Sequence, residues 1–377
     1  MTTWTLEPRD TLVTRDGKPM DGASQMTSLS LPWPSSTAGF MRTRAGSDEH
    51  GRWSEALTSA DAKKIPVLGP WVVELNGDGA VVDQLLPRPH DVIGWSSTGD
   101  ASALDLVPLR PRTLAVEART DLDEAQLQLL FPDEDHPGKP ASLPTLVSWK
   151  AFYADWLLRP AKKTVPLGAM GIRGLEREWR THVAIDAMKG TARDGALFSV
   201  EHLRFSIKGE RRGEVRRLAI AVQCAHDGVK GGTWPWAGER RLSRLAKAGH
   251  AAPSLPKGIE DAVAQTGLVR VVLVTPAVFA DGWKPRRLLE PAAGVTPSLV
   301  AAAVPRAEVV SGWDFALNMP KPTRRVAPAG SVYWLKLDGD ERARRAWVHQ
   351  WWWQAVSDSP DDTLQGFGLC VLGAGGG

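Results

Sequence analysis

From His182 to Lys208 the chain reads as strand, turn, strand. HVAID has the β-branched and apolar content of a strand, KGTARDG is turn-rich, and ALFSVEHLRFSIK follows. In that last segment Leu203, Phe205 and Ile207 share one face, while His202, Arg204, Ser206 and Lys208 share the other. The phase changes near Ser199 and Glu201, which predicts a bulge or a junction between two strands there. An apolar back with a basic front suits a solvated outer face or a sheet that holds a polyanion. This strand alone favours the solvated face.

The other segments alternate between the two periods. WTLEPRDTLVTRDGKPM predicts a strand closing on an Asp16-Gly17 turn, with Arg15 and Lys18 flanking it. In SLSLPWPSSTAGFMRTRAG, Pro32 and Pro34 keep the approach extended, and a helix capped by Ser35, Ser36 or Thr37 runs through Arg44. Residues 71–75 and 80–86 predict a hairpin around Gly77 to Gly79. The stretch 121–131 predicts a helix with an acidic start, and 146–158 a second with Trp149, Phe152, Tyr153 and Trp156 at core spacing. VRRLAIAVQC reads as a strong strand, and Gly, Pro and Trp then interrupt all periodicity in HDGVKGGTWPWAG. A short helix from GERRLSRLAKAG, a helix near 257–265, the strands LVRVVLVTPAVF and SVYWLKL, a helix over 340–356 and a short terminal strand complete the chain. This order predicts an α+β fold of two domains with largely antiparallel sheets, divided as 1–225 and 226–377.

Composition adds constraints. The 377 residues suffice for two domains, and 43% hydrophobic with 24% charged content predicts packed globular structure. A net charge of +3 argues for a polyanion only if the basic residues cluster. They do: Arg15/Lys18, Arg42/Arg44, Arg204/Lys208, Arg240/Arg241, Lys284/Arg286/Arg287 and Lys321/Arg324/Arg325 sit beside Gly or Pro in expected loops or on the basic strand. Each cluster alone reads as a solvated turn; together they favour a polyanion. Trp234, Trp236, Trp283 and Trp313, interleaved among them, could stack on unpaired bases. Cys224 and Cys370 stand far apart without C-x-x-C, so neither a disulfide framework nor a zinc motif is indicated. The N-terminus lacks the pattern of a signal peptide and no apolar run approaches membrane length. The expectation is a cytoplasmic protein without a membrane partner.

Catalytic patterns are sparse. His90-Asp91 and His226-Asp227 lack the further ligands of a two-metal phosphohydrolase, and G-x-S-x-G, H-E-x-x-H and a phosphate-binding Gly-Lys loop are absent from the sequence. His182 or His202 could act as the general base of a metal-free ribonuclease. Strand histidines are more often structural or contact residues, and the expectation is a non-enzyme without cofactor or metal.

The motifs EPRDTLVTRDGKPM (7–20), PWPSSTAGFMR (32–42), HVAIDAMKGTARDGALFSVEHLRF (182–205), GERRL (238–242), VLVTPAVFADGWKP (272–285), VSGWDFALNMPKPTRRVAPAGSVYWLKL (310–337) and GFGLCVLG (366–373) are colinear from end to end. In that order they resemble the RAMP-superfamily subunit of the type III-B CRISPR (Cmr) ribonucleoprotein that is the third of its module. The stretch 45–180 matches only loosely, and the Trp351–Trp353 run is outside the pattern.

The resemblance implies two ferredoxin-like (RRM-like) domains with inserted hairpins and helices, and no nuclease activity. It implies binding of the guide RNA (crRNA) 5′ tag in antiviral defence. The implied partners are the large polymerase-like subunit and the backbone RAMP subunits, with target RNA met indirectly. Gly366-Phe367-Gly368 resembles the superfamily's glycine-rich loop near RNA. The expected RNA contacts are Arg15, Lys18, Arg42, His182, Arg204, Gly238, Arg240, Arg241, Arg324 and Arg325, with Gly238 allowing close backbone approach. Lys189 and Arg193 at the hairpin tip are expected at RNA or at a protein neighbour.

Overall fold

The computed structural model describes residues 1–15, 25–54, 57–97, 100–113, 127–134, 138–209, 215–249, 252–314 and 318–376. In the first part of the chain, β1 (Thr2–Pro8) is followed by α1 (Pro34–Ala45), β2 (Val67–Leu75), β3 (Val81–Pro87) and β4 (Leu146–Ser148). A projecting hairpin comes next, β5 (Glu176–Ile185) and β6 (Ala192–Arg204), then β7 (Val215–Cys224) and β8 (Leu242–Lys247). The chain continues through α2 (Ile259–Thr266), β9 (Leu268–Leu273), β10 (Thr296–Ala303), β11 (Val332–Asp338), α3 (Glu341–Trp351) and β12 (Cys370–Ala374).

The larger sheet runs β4-β3-β2-β7-β1-β8, with every pair antiparallel. It takes in Gly232–Pro235 and β8, both beyond residue 225. The second sheet is ordered β10-β11-β9-β12 and is also antiparallel. A smaller sheet, formed by 92–97, 100–112, 129–132 and 163–166, flanks them. The fold is therefore mixed α and β with mostly antiparallel sheets, as expected.

The near-continuous apolar runs of β2 and β7 follow from burial on both faces. Val72, Leu218, Ile220 and Val222 point into a core closed by Ala38 and Met41 of α1. Their neighbours Trp71, Val73, Ala219 and Ala221 point into a second core shared with Tyr333, Trp347 and Val371. The two sheets are thus fused through one apolar layer. Trp353 belongs to that joint: its ring meets Trp71 edge-on at 5.1 Å and its Nε1–H donates to Gln223 at 3.0 Å. Trp351 is buried too, so the tryptophan run is largely core.

Several expectations need correction. The helix expected over 146–158 starts only at Trp149, because Leu146–Ser148 is β4 and pairs with β3, and α1 starts after Trp33 without a side-chain cap from Ser35, Ser36 or Thr37. The described part of the expected 121–131 helix is extended, because Leu129–Pro132 pairs with the strand at 109–112; residues 121–126 lie outside the described residues. The helix expected from GERRLSRLAKAG is one turn, Gly238–Arg240, followed by β8, whose pairing with β1 overrides local propensity. The junction expected at Ser199 and Glu201 lies at Phe205, between β6 and Ser206–Lys208, which pairs with β7. What changes at 200–203 is burial, since the strand there enters the protein. Finally, His202 belongs not to an exposed basic front but to the interior, at 0% exposure. The Asp16-Gly17 turn lies outside the described residues.

Candidate functional site

The root of the β5–β6 hairpin carries the densest set of chemically active side chains. Strand pairing sets Glu176 opposite Arg204, Glu178 opposite His202 and His182 opposite Phe198. A loop covers this face: the Gly238 N–H donates to Val13 O at 2.8 Å, and the Trp236 N–H to Arg241 O at 2.8 Å. Between those anchors Ala237, Glu239 and Arg240 all take positive φ, at 60°, 56° and 50°. Each costs of order 1–3 kcal/mol, and such strain collects where side chains must be aimed. Here the aimed side chain is Glu239.

Glu239 lies 3.9 Å from His182 Nε2 and 3.9 Å from His202 Nε2, and accepts from Arg241 at 2.8 Å. His202 Nδ1 is 2.7 Å from the Thr11 hydroxyl. Burial, then the positive charge of Arg241, lowers the pKa of His202, so its ring is neutral near pH 7. Around this centre Asp10 accepts a two-pronged contact from Arg180, at 2.8 and 3.1 Å, and a third from Arg241 at 3.3 Å. The Arg180 guanidinium holds the Asp10 carboxyl below its usual range. Glu178 receives Arg180 at 2.7 Å and Arg204 at 3.6 Å.

Beside this network runs a cleft of about 300 Å³ lined by Arg9, Asp10, Thr11, Glu178, Arg204 and Arg217 among others. A second cleft, about 440 Å³, continues over Arg9, Thr233 and Arg244. Arg9, Arg240 and Arg244 are exposed and have no acidic partner among the described residues. Arg204 is paired only at 3.6 Å and keeps 46% of its side chain exposed. Free guanidinium groups along a cleft are suited to phosphate oxygens.

His182, Arg204, Gly238, Arg240 and Arg241 therefore come together, as parts of one loop-on-hairpin surface. Gly238 makes a close approach within the protein itself, because a Cβ there would stand 3.0 Å from Val13. Arg15 is exposed and bridges to Ser28, two residues from Val13.

The other expected contacts lie elsewhere. Arg42 donates to Ile65 O at 3.0 Å and to Leu364 O at 2.8 Å, so its head group serves the interior. Arg324 binds Asp362 at 2.7 Å and lies over the Phe367 ring. Both arginines hold the 362–367 turn. Arg325 is exposed on a separate apolar cleft with Trp283. Lys18 lies outside the described residues.

The Gly366–Gly368 turn is buried and offers no surface to RNA. Gly366 and Gly368, at φ 86° and 82°, pack where a Cβ would stand 2.6 Å from Gly69 O and 2.8 Å from Ser357 N. Of the four tryptophans named for stacking, Trp313 is exposed, Trp236 is core, and Trp234 carries the Arg44 guanidinium 4.1 Å above it. Sequence reasoning missed Arg9 and Arg244. Only the strand register, which sets Glu7 opposite Arg244, brings them together.

A family model for CRISPR-associated protein (Cas_Cmr3) matches residues 4–374. The chain belongs to that family. The match bears out the resemblance to the third Cmr subunit carried by the colinear motifs. Two solved structures are among those similar to this chain. One is the Type III-B Cmr-beta bound to cognate target RNA and AMPPnP, at 15% identity over 88% of this chain and 85% of that chain, with a TM-score of 0.46. The other is the Type III-B Cmr-beta bound to cognate target RNA, at 14% identity over 88% of this chain and 86% of that one, with a TM-score of 0.44. No curated relative matches this chain.

Proposed function

We propose that this member of the Cas_Cmr3 family is a non-catalytic, cytoplasmic subunit of a type III-B CRISPR effector. In this reading it binds the 5′ tag of the guide RNA and docks on the large polymerase-like subunit and the backbone RAMP subunits. The full-length family match carries the reading. The continuous arginine-lined clefts through Arg9, Arg204 and Arg244 support an RNA role for one face. Numbered along the chain, the four strands of the second sheet are ordered 2-3-1-4, and α3 lies between strands 3 and 4. That order supports a ferredoxin-like unit there.

The test is retention of a tag-bearing RNA against one with a scrambled 5′ sequence, by the chain together with its large subunit. Preferential retention that weakens with salt supports the reading; equal retention of both RNAs sinks it.

The adjacency of His182, His202 and Glu239 gives a second reading, a metal-free endoribonuclease acting on precursor guide RNA. His202 is fully buried, so only His182 could meet a 2′-hydroxyl. Repeat-RNA cleavage in EDTA that is lost in His182→Ala would establish this alternative.

A further inference from the structure

His182, His202 and Glu239 are 20 and 37 positions apart in the chain and form no sequence motif. The fold nevertheless brings one ligand atom of each within 4.8 Å of the other two. Both Nε2 atoms are buried and lack a hydrogen-bond partner. For His202, wholly inside the protein, an unpartnered atom has a real desolvation cost. We propose that these three side chains form a binding site for a zinc-class divalent cation, clamping the 237–241 loop onto the β5–β6 hairpin.

Three features argue for a cation rather than a loosely packed polar corner. The first is the donor set. Two imidazole nitrogens and one carboxylate oxygen form a recurrent three-ligand combination for zinc, with a further position for water or an incoming oxygen. Magnesium and calcium, which favour all-oxygen shells, suit it poorly.

The second is outer support. A histidine that ligates through Nε2 commonly donates from Nδ1 to an oxygen, and His202 has the Thr11 hydroxyl 2.7 Å from Nδ1. The tautomer that donates to Thr11 leaves the Nε2 lone pair free. On the other side Glu239 is aimed by a run of positive-φ residues, which gives that strain a use.

The third is charge. Arg180, Arg204 and Arg241 stand beside the site, but Asp10, Glu178 and Glu239 offset them one for one through the contacts described. The positive charge that a divalent ion meets there is thereby reduced. Metal–ligand bonds of about 2.0–2.2 Å require neighbouring ligand atoms to be closer than the 3.9 Å separations seen between Glu239 and the two rings. With one ligand atom from each residue within 4.8 Å of the others, the closure is up to about 1.5 Å and falls on the Glu239 side chain and the half-buried His182 ring. The clamp is independent of the RNA-binding reading and is tested without RNA.

The probe is cobalt(II), a visible reporter of zinc-type sites. Full-length, tag-free chain stripped with chelator is titrated with Co²⁺, followed by competition with Zn²⁺ and Mg²⁺. The expected result is one Co²⁺ per chain with a ligand-field band, displaced by Zn²⁺ and not by Mg²⁺. His182→Gln and Glu239→Gln should weaken binding at least ~10-fold, Thr11→Val should weaken it ~10–100-fold, and Cys224→Ser should leave it unchanged.

Tryptophan fluorescence of the metal-free variants, matching the parent, shows that each is folded. Glu239→Gln is the variant safest for folding, because it preserves shape at an exposed residue. Absence of a band, parent-like binding by folded Glu239→Gln, or loss of binding in Cys224→Ser would each overturn the proposal.

Discussion

Arg270 of β9 and Asp91 form an ion pair across the junction of the two sheets, each only 1% exposed. Both groups make further hydrogen bonds. Arg270 donates to Ala374 O at 2.7 Å, Trp156 O at 2.6 Å and Leu157 O at 3.0 Å, and the Trp156 indole N–H donates to Asp91 at 2.9 Å. The pair is thus part of a wider network rather than an isolated charge couple.

Breaking one side of that network leaves an unmatched buried charge. Arg270→Met or Asp91→Leu should each lower stability by ~3–5 kcal/mol. The double variant should lose less than the sum, read from urea-denaturation midpoints. Strict additivity would show that the two groups do not act as a pair.

Trp353 should behave as part of the same seam. Trp353→Ala removes a ring packed at 5.1 Å on Trp71 and a bond to Gln223, and should cost ~3–5 kcal/mol. Trp353→Phe, which retains most of the ring packing, should cost clearly less. Thermal unfolding of the three proteins checks the order.

His90 gives a pH signature. Burial, reinforced by neighbouring Arg88, lowers its pKa to about 4 from 6.5. Between those values the unfolded chain takes a proton that the folded chain refuses. This contribution to stability is therefore intact above pH ~6.5, declines as pH falls towards ~4 and is level below that. The slope is at most ~1.4 kcal/mol per pH unit. It should appear as a difference between parent and His90→Gln in urea midpoints taken at several pH values.

The arginines should separate into two kinds. Arg9→Ala, Arg240→Ala and Arg244→Ala should weaken RNA retention and each reduce the salt slope by up to about one, without changing thermal stability. Arg42→Ala should instead lower the melting temperature, because it abandons the carbonyls of Ile65 and Leu364. Parallel binding and melting measurements on one variant set would decide this.

Much of this protein was legible as one-dimensional pattern. The apolar runs of β2, β7, β9 and β11 announce strands buried on both faces, because period and composition are local properties. The colinear motifs carried the family in the same way, since order along the chain survives in the sequence itself. GERRLSRLAKAG misled because its helix-forming composition is outweighed by pairing with β1, a partner more than two hundred residues away.

What the sequence by itself determined was therefore element type, mixed α and β class, family, and the basic character of several loops. Tertiary structure decided which of those basic side chains are free. Arg42 and Arg324 look like Arg240 in the sequence, yet both are spent on the 362–367 turn, while Arg9 and Arg244 become neighbours only through strand register. It also decided the meeting of His182, His202 and Glu239. Charge pairing and burial depend on distance in space, and nothing in local composition encodes the fold that closes those distances.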